Sequence, residues 1–301
     1  MQHRALGNSD LTVSSLGMGC VTFGREIDAE QSFRVLDRAL ERGITLFDTA
    51  EAYAAGASET VLGDWIARRG VRDQIVLATK VAGVLTRERI IDSAKQSLDR
   101  LQTDRIDLFQ LHNWDDETPL EETLAALTEL LQQGQVRHVG VSNWTAEQLA
   151  QAQQVAAATG HQPLQSIQPP YNLVQREIES DVLPLCSAQN VGVISYSPLG
   201  AGFLTGKYRR NGPVPKGTRF EIIPGHQPIY MHDHGFAVLD RLLSVAERIG
   251  APPPKVALSW VLHQPGVTSV LIGARSTEQV DQAFDAEALS LDQQTLADLA
   301  G

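Results

Sequence analysis

Short runs of apolar and β-branched residues alternate with longer amphipathic stretches along the 301-residue chain, and this alternation restricts its possible folds more than any other feature. The short runs have the length of buried strands, whereas the longer stretches carry apolar residues at helical spacing. Parallel neighbours need a crossover, and eight such units close into a barrel without a free edge. The predicted strands are Leu16–Gly19, Thr45–Asp48, Ile75–Thr79, Ile106–Leu111, Val136–Val141, Leu164–Ile167, Val191–Ser195 and Ser269–Ile272.

Start and stop signals support helices between these strands. Asp28 precedes the first helix with Gln31 three residues later, which is the spacing of a capping box. Gly43, Gly134 and Gly250 stand where helices are predicted to end, because glycine adopts the left-handed C-cap conformation readily. The predicted helices are Ala29–Arg42, Glu59–Arg69, Arg87–Leu101, Leu120–Gln133, Ala146–Thr159, Val182–Gln189 and two more between Ala237 and His263.

Residues 1–301 are predicted to form one α/β domain, a (β/α)8 TIM barrel with two extra helices. A short apolar alternation from Ala5 to Val13, turning at Gly7 and Asn8, predicts a β-hairpin that closes the bottom of the barrel. No linker rich in glycine and serine divides the sequence.

An open doubly wound sheet is the alternative architecture. It requires a G-x-G-x-x-G turn that opens directly into a helix. Here the first strand leads into GMGCVTFG, but the next helix begins only at Ala29. The dinucleotide fingerprint of that fold is therefore absent, and these glycines indicate a close backbone approach at the floor of a pocket.

Composition and charge narrow the function classes. The chain carries 25 basic and 36 acidic side chains, a formal net charge of −11, which argues against nucleic acid or an anionic membrane as the main partner. No apolar run approaches the roughly 20 residues that span a bilayer, and the polar start has no signal-peptide pattern. Cys20 and Cys186 are too few and too far apart for a disulfide framework, so a reducing cytoplasm is the expected location.

Polar groups stand at or just after the carboxyl ends of seven consecutive predicted strands. In a parallel barrel these ends meet at one rim, where catalytic residues of such folds cluster. Packing alone does not explain this repetition, so the rim is predicted to be the functional site. In chain order it carries Asp48, Tyr53, Lys80, His112, Ser142, Asn143, Gln168, Tyr196, Ser197, Gly273 and Arg275.

Four of these residues form a set that suits proton transfer. A tyrosine with the ordinary pKa of about 10 is a poor proton shuttle at neutral pH, and an adjacent ammonium lowers that pKa. Lys80 is the candidate ammonium, and Asp48 would keep it charged and oriented. His112 would hydrogen-bond a carbonyl oxygen, and Tyr53 would protonate that oxygen as a hydride arrives.

Each member of the set also has an ordinary structural explanation. A single Asp at a strand end is commonly a capping residue, and a single Lys there commonly extends its stem along the rim. A single His is commonly a hydrogen-bonded core residue. The convergence of all four at successive strand ends favours catalysis.

Longer motifs give the chain a family resemblance. It resembles the aldo-keto reductase superfamily, and most of all its bacterial branch near the potassium-channel β-subunit relatives, in the segments GITLFDTAEAYAAGASETVLG, LATK, TDRIDLFQLHNWD, VRHVGVSNW, IQPPYN, ISYSPLGAGFLTGKY and IGARSTEQV. The resemblance places the catalytic tetrad of that family on Asp48, Tyr53, Lys80 and His112. It implies interconversion of a small-molecule carbonyl and an alcohol by hydride transfer with a nicotinamide nucleotide.

The expected cofactor is NADP (NADPH), because a guanidinium at Arg275, beside a helix N-terminus, suits the adenosine 2′-phosphate. The resemblance implies the other cofactor contacts. Ser142, Asn143 and Gln168 would hydrogen-bond the nicotinamide amide, which needs a donor and an acceptor. Tyr196 would stack on the nicotinamide ring, and Arg275 would bind the adenosine 2′-phosphate. The other expected cofactor contacts are Gly19, Cys20, Ser197, Pro198, Leu199, Gly202, Lys207, Gly273, Gln279 and Gln282.

Aromatic residues beside the rim are the candidate substrate contacts. Trp114 and Trp144 each follow a rim residue, and Phe23 follows the first strand. Indoles serve packing as often as ligand binding, so both roles stay open. The short connection Val81–Thr86 predicts a comparatively open cleft.

The segment Arg209–Gly235 is rich in proline and glycine, and it is predicted to be a solvated loop that acts as a lid. It contains His226 and the pair His232 and His234. Further metal ligands are not apparent near this pair, so no metal site is predicted.

Two other functions stay open at this stage. The protein could sense a nicotinamide nucleotide or act as a scaffold through a protein partner. It could also be a lyase with a Schiff base on Lys80, although Asp48 would keep that amine protonated. Ala283 stands where the resembled family often has Asn, which leaves the preference for NADP over NAD open.

Overall fold

Eight parallel strands close into a barrel in the computed structural model, which describes residues 1–301. Neighbouring strands follow chain order, and the last strand pairs with the first. The hairpin strands are β1 (His3–Ala5) and β2 (Thr12–Ser14), and the barrel strands are β3 (Leu16–Gly19), β4 (Leu46–Asp48), β5 (Val76–Val81), β6 (Ile106–Leu111), β7 (Val136–Ser142), β8 (Ser166–Gln168), β9 (Gly192–Ser195) and β10 (Val267–Ile272).

A helix follows nearly every barrel strand, so the predicted (β/α)8 TIM barrel is confirmed and the open sheet is excluded. No helix combines the length and the apolar character that crossing a bilayer requires. The helices are α1 (Ala29–Glu41), α2 (Ala57–Arg69), α3 (Arg87–Leu101), α4 (Leu120–Gln132), α5 (Ala146–Thr159), α6 (Val182–Gln189), α7 (Arg219–Ile222), α8 (Gln227–Tyr230), α9 (Asp233–Ile249), α10 (Pro253–Leu262), α11 (Thr277–Glu287) and α12 (Gln293–Ala300).

The predicted helix signals act as expected, with one difference. The Asp28 carboxylate accepts a hydrogen bond from the backbone N–H of Gln31 at 2.8 Å and so caps α1. The Gln31 side chain, however, donates to the backbone oxygen of Arg275 at 2.9 Å instead of completing a capping box. The cap thereby ties the start of α1 to the loop after β10.

The N-terminal hairpin closes the bottom of the barrel, as predicted. Strands β1 and β2 pair antiparallel. Leu6, Leu11 and Val13 are almost fully buried, and they pack in one apolar cluster with barrel residues. Each such leucine contributes about 1.5–3 kcal/mol by leaving water. The barrel members of this cluster are Leu46, Ala78, Leu108, Ile194 and Leu271.

Strand alternation places a polar layer directly above that apolar cluster. Side chains two residues apart on a strand face the same side of the sheet. Residues two positions beyond Leu46, Ala78 and Leu108 therefore also point into the barrel, nearer its carboxyl rim. They are Asp48, Lys80 and Gln110.

The segment Arg209–Gly235 is not the solvated loop that its composition predicts. It contains α7 and α8, and α9 already begins at Asp233. Phe220 and Tyr230 are buried, and their rings stack 6.0 Å apart. Because burying such rings outweighs the tendency of proline and glycine to break helices, the segment packs against the barrel.

We expect Gly63→Ala to lower the free energy of unfolding by about 1–3 kcal/mol, the usual effect of overpacking. Gly63 lies where α2 crosses α3, and a Cβ there would stand 2.8 Å from the Leu101 Cα. The clashing atoms belong to the α3 backbone and cannot move aside as a side chain can. The cost of the clash therefore exceeds the advantage of about 1 kcal/mol that alanine has over glycine in helices. Urea denaturation measures the change. Gly225→Ala is the control because no atom lies within 4 Å of its Cβ position, and equal stability of the two variants would contradict this packing.

Candidate active site

A buried ion pair joins two neighbouring barrel strands at the rim. The Lys80 Nζ lies 2.5 Å from the Asp48 Oδ1 and also donates to the backbone oxygen of Thr49 at 2.8 Å. Lys80 has no solvent exposure and Asp48 has 1%. Burial by itself disfavours the ammonium, but Asp48 and Tyr53 outweigh it, so the pKa of Lys80 lies above its ordinary value. Lys80 is therefore charged at neutral pH.

Two buried amides satisfy the other oxygen of Asp48. Gln110 donates to the Asp48 Oδ2 at 3.1 Å, and Gln168 donates to the same atom at 2.8 Å. Unpaired polar atoms are costly when buried, and these bonds satisfy the second carboxylate oxygen. Sequence reasoning did not single out Gln110. Its signal was a glutamine two residues beyond Leu108, at an inward position near the carboxyl end of β6.

Tyr53 directs its hydroxyl towards this ion pair. It lies in the loop between β4 and α2, and its Oη stands 3.5 Å from the Lys80 Nζ. Burial raises the pKa of Tyr53 and outweighs the opposing effect of Lys80, so the net direction is upward. The sequence-based expectation of a lowered pKa is therefore wrong for this structure. The phenol keeps its proton at neutral pH.

His112 stands beside the phenol and is neutral. Its ring meets the Tyr53 ring edge to face, with centroids 5.7 Å apart. Burial, assisted by the charge of Lys80, lowers the pKa of His112 to about 4. Its Nδ1 is buried without a hydrogen-bond partner in the protein. A neutral imidazole here can donate one hydrogen bond without carrying a charge.

One cavity of about 800 Å³ contains most of the predicted site. Asp48, Tyr53 and His112 line it, whereas Lys80 is buried behind them. Every predicted cofactor residue except Cys20 reaches its wall. These residues are Gly19, Ser142, Asn143, Gln168, Tyr196, Ser197, Pro198, Leu199, Gly202, Lys207, Gly273, Arg275, Gln279 and Gln282.

Polar groups on β7, β8 and β9 hold one another at the wall of this cavity. Ser142 donates to the backbone oxygen of Gln168 at 2.8 Å. Tyr196 donates to the Asn143 Oδ1 at 2.8 Å, and Asn143 donates to the backbone oxygen of His112 at 3.0 Å. The Gln168 amide nitrogen is already used by Asp48, which leaves its oxygen as the free group. The wall thus presents preoriented donors and acceptors.

Three cations in the cavity have no carboxylate partner. Lys207, Lys255 and Arg275 all line it, and none of them belongs to an ion pair of the structure. Partial burial and the nearby charge of Arg275 lower the pKa of Lys207. Gly202 stands close by, and a Cβ there would lie 2.9 Å from the Lys207 Nζ. Unpaired cations beside an exposed backbone fit a ligand that carries phosphate groups.

Four predicted contacts lie outside the cavity wall. Phe23 and Cys20 are fully buried, and both side chains belong to the core, so neither side chain reaches the cavity. Trp114 and Trp144 pack edge to face with centroids 4.7 Å apart, and neither lines the cavity.

An ion pair that sequence reasoning missed crosses the cavity mouth. Arg219 of α7 pairs with the Glu26 Oε1, and Arg25 donates to the same oxygen at 2.8 Å. Arg219 and Glu26 both line the cavity, with Ile222 and His226 beside them. Nothing in the sequence pairs these residues, because they lie 193 positions apart. The contact holds α7 against the loop after β3.

The histidine pair of the same segment has a structural role. His232 caps α9 by accepting a hydrogen bond from the backbone N–H of Gly235 at 3.2 Å, and its ring stacks on His234. No group of three or more His, Cys, Asp or Glu side chains is arranged to hold a metal ion.

Comparison with known proteins agrees with the barrel and with its rim. The model of the aldo/keto reductase family matches residues 15–301. An uncharacterized oxidoreductase of Bacillus subtilis (strain 168), YrpG, is 34% identical over an alignment 315 positions long, which covers 98% of this chain and 94% of the relative. The chain belongs to the aldo/keto reductase family and is an oxidoreductase. Proteins of this family use nicotinamide cofactors and act on small-molecule carbonyls.

The low pKa of His112 predicts a loss of stability in mild acid. The folded state protonates this ring only near pH 4, whereas an unfolded chain does so near 6.5. The stabilisation is therefore complete above pH 6.5 and is lost as the pH falls towards 4. Between pH 7 and pH 5 we expect the wild type to lose about 2 kcal/mol more than His112→Gln. Urea denaturation at both pH values measures the difference, and equal losses would contradict a neutral buried ring.

Proposed function

We propose that this chain is an NADPH-dependent oxidoreductase that interconverts an aldehyde or ketone with an alcohol, with Tyr53 as general acid and base. The observation that carries the proposal is the position of Tyr53. This residue lines the 800 Å³ cavity, and its hydroxyl lies 3.5 Å from the Lys80 Nζ. A protonated phenol beside a fixed ammonium can give its proton to a developing alkoxide. The ammonium stabilises the phenolate that remains.

His112 and Asp48 would support the proton transfer from Tyr53. His112, being neutral, would donate a hydrogen bond to the carbonyl oxygen and orient it towards the phenol. Asp48 would keep Lys80 charged and aimed, since its second oxygen is held by two amides. In the oxidation direction the phenolate would accept the alcohol proton at the same atom.

The cavity wall supports a nicotinamide nucleotide as cofactor. The chemistry supplied by bound NADPH is the transfer of a hydride to the carbonyl carbon. The Asn143, Gln168 and Ser142 groups would bind its amide, and the Tyr196 ring would cover one ring face. The unpaired Lys207 and Arg275 would bind its phosphates, with Arg275 at the 2′-phosphate. Ala283 also lines this wall and offers no polar contact to adenine.

Two alternatives receive less support. A Schiff base on Lys80 needs a free amine, whereas Asp48 and Thr49 hold this one as an ammonium. A sensor or scaffold role would use the same cofactor site without turnover. The chain 1–301 as one catalytic unit is the simpler proposal, because the donor, its ion pair and the cavity are all complete within it.

We expect Tyr53→Phe to lower kcat for NADPH-dependent aldehyde reduction by about 10²–10⁴-fold, the usual contribution of a general acid. The affinity for NADPH should stay unchanged, as measured by quenching of protein fluorescence. Tyr208→Phe is the matched control, because the Tyr208 hydroxyl is buried without a hydrogen-bond partner and its loss removes no hydrogen bond. If the wild type binds NADPH but reduces no member of an aldehyde and ketone panel, the sensor role is favoured.

Arg275→Leu should raise KM for NADPH by about 10–100-fold, since a hydrogen bond to a charged group contributes about 1.5–3 kcal/mol. The KM for NADH should change little, because NADH lacks the 2′-phosphate. Steady-state kinetics with both nucleotides test this. An equal loss for both would show that Arg275 does not select between them.

A further inference from the structure

The loop that carries Tyr53 has an unusual backbone. Directly after the tyrosine, Ala54 and Ala55 have φ values of 51° and 52°, and Gly56 follows with 89°. Residues with a Cβ rarely adopt this left-handed region, and two in succession are rarer still. Such a conformation persists only where surrounding contacts hold it. The contacts that hold the phenol near the ammonium come from both sides of this loop.

One set of contacts lies on the α2 side of the loop. Glu59, in the first turn of α2, has no solvent exposure. Its Oε2 accepts from the Arg100 Nε at 2.7 Å, and its Oε1 accepts from the Thr79 hydroxyl at 2.5 Å. Thr79 directly precedes Lys80 on β5. One carboxylate therefore ties the helix that follows the Tyr53 loop to the strand that carries Lys80.

Arg100 also contacts the loop itself. A Cβ on Gly56 would lie 2.8 Å from the Arg100 Cδ, so the arginine stem packs directly on the last left-handed residue. Any other residue at Gly56 would displace this side chain. Arg100 thus joins Gly56, at the end of the loop, to the buried carboxylate.

A second ion pair holds the other side of the loop. Glu51 stands two residues before Tyr53 and pairs with Arg89 at the start of α3. It also accepts from the Ser93 hydroxyl at 2.6 Å and from the backbone N–H of Ala82 at 2.9 Å. Helix α3 therefore supplies both arginines. We name Glu51, Arg89, Glu59 and Arg100 the loop clamp.

We propose that the loop clamp is a positioning device that holds the Tyr53 hydroxyl within reach of the Lys80 ammonium, with Glu59 and Arg100 as its main positioning residues. None of the four touches the substrate or cofactor region of the cavity, since none of them lines it. The inference rests on the proposed function of Tyr53 and assigns a further group to the same reaction. A displacement of about 1 Å at a reacting group can cost about 10²-fold in rate.

The test is Glu59→Gln, which keeps the size of the side chain and removes its charge. We expect kcat for aldehyde reduction to fall at least about tenfold, with KM for NADPH within about twofold, because the cofactor wall is untouched. Arg100→Lys keeps a positive charge and should restore part of the rate that Arg100→Met loses. The control is Glu129→Gln, which removes the ion pair of Glu129 on α4 with Arg87 on α3, a pair outside the loop clamp.

A pH readout separates positioning from mere stability. Lys80 lowers the pKa of Tyr53, while burial, Asp48 and Cys20 raise it. Neutral His112 stands at the ring edge. If Glu59→Gln lets the phenol move away from Lys80, the alkaline limb of kcat shifts to higher pH. A loss of stability alone would leave that limb in place for the folded fraction.

Ultraviolet titration of the Tyr53 phenolate, as the difference between each protein and its Tyr53→Phe counterpart, gives the same answer without turnover. If Glu59→Gln does not fold, Arg100→Met is measured in the same way. An unshifted phenolate titration and wild-type kcat in the folded clamp variants would overturn the clamp, even with a lowered Tm. A wild type without turnover would instead overturn the proposed function, and the titration would still decide the clamp.

Discussion

The ion pair between Asp48 and Lys80 is the interaction on which the rest of the site depends. Two charges without solvent contact are tolerable only when every lone pair and proton has a partner. Here the ammonium is held by Asp48 and the Thr49 carbonyl, and the carboxylate by the amides of Gln110 and Gln168. Removing one partner would leave a buried charge unpaired. The barrel therefore fixes a positive charge at a defined point of its rim.

The barrel can hold this charge because its apolar core residues and its charged rim residues form two separate inward layers. The lower layer is apolar and is sealed by the N-terminal hairpin, while the next inward layer carries the charges and amides. Side chains two residues apart on a strand point to the same face, so the strand register that positions the apolar layer also positions the charged layer. The apolar layer keeps water from the ion pair from below, and the 800 Å³ cavity gives ligands access from above.

The phenol, in contrast, does not lie on a strand. Tyr53 belongs to a loop with left-handed alanines, and its distance to Lys80 depends on contacts from α2 and α3. Burial keeps its proton in place at neutral pH despite the nearby ammonium. In the proposed reaction, this is the proton that would pass to a developing alkoxide.

The sequence by itself determined the barrel and its polar rim, because strand alternation and helix caps are local properties. It also gave the ends of each barrel strand to within two residues. It also indicated that Asp48, Tyr53, Lys80 and His112 stand at or near the ends of three neighbouring strands, as the structure has them. Only the tertiary structure decided that Phe23 is core. It also decided the pairs Gln110–Asp48, Glu59–Arg100 and Arg219–Glu26. Those outcomes depend on which distant side chains share a dry space, and neither composition nor spacing along the chain contains that information.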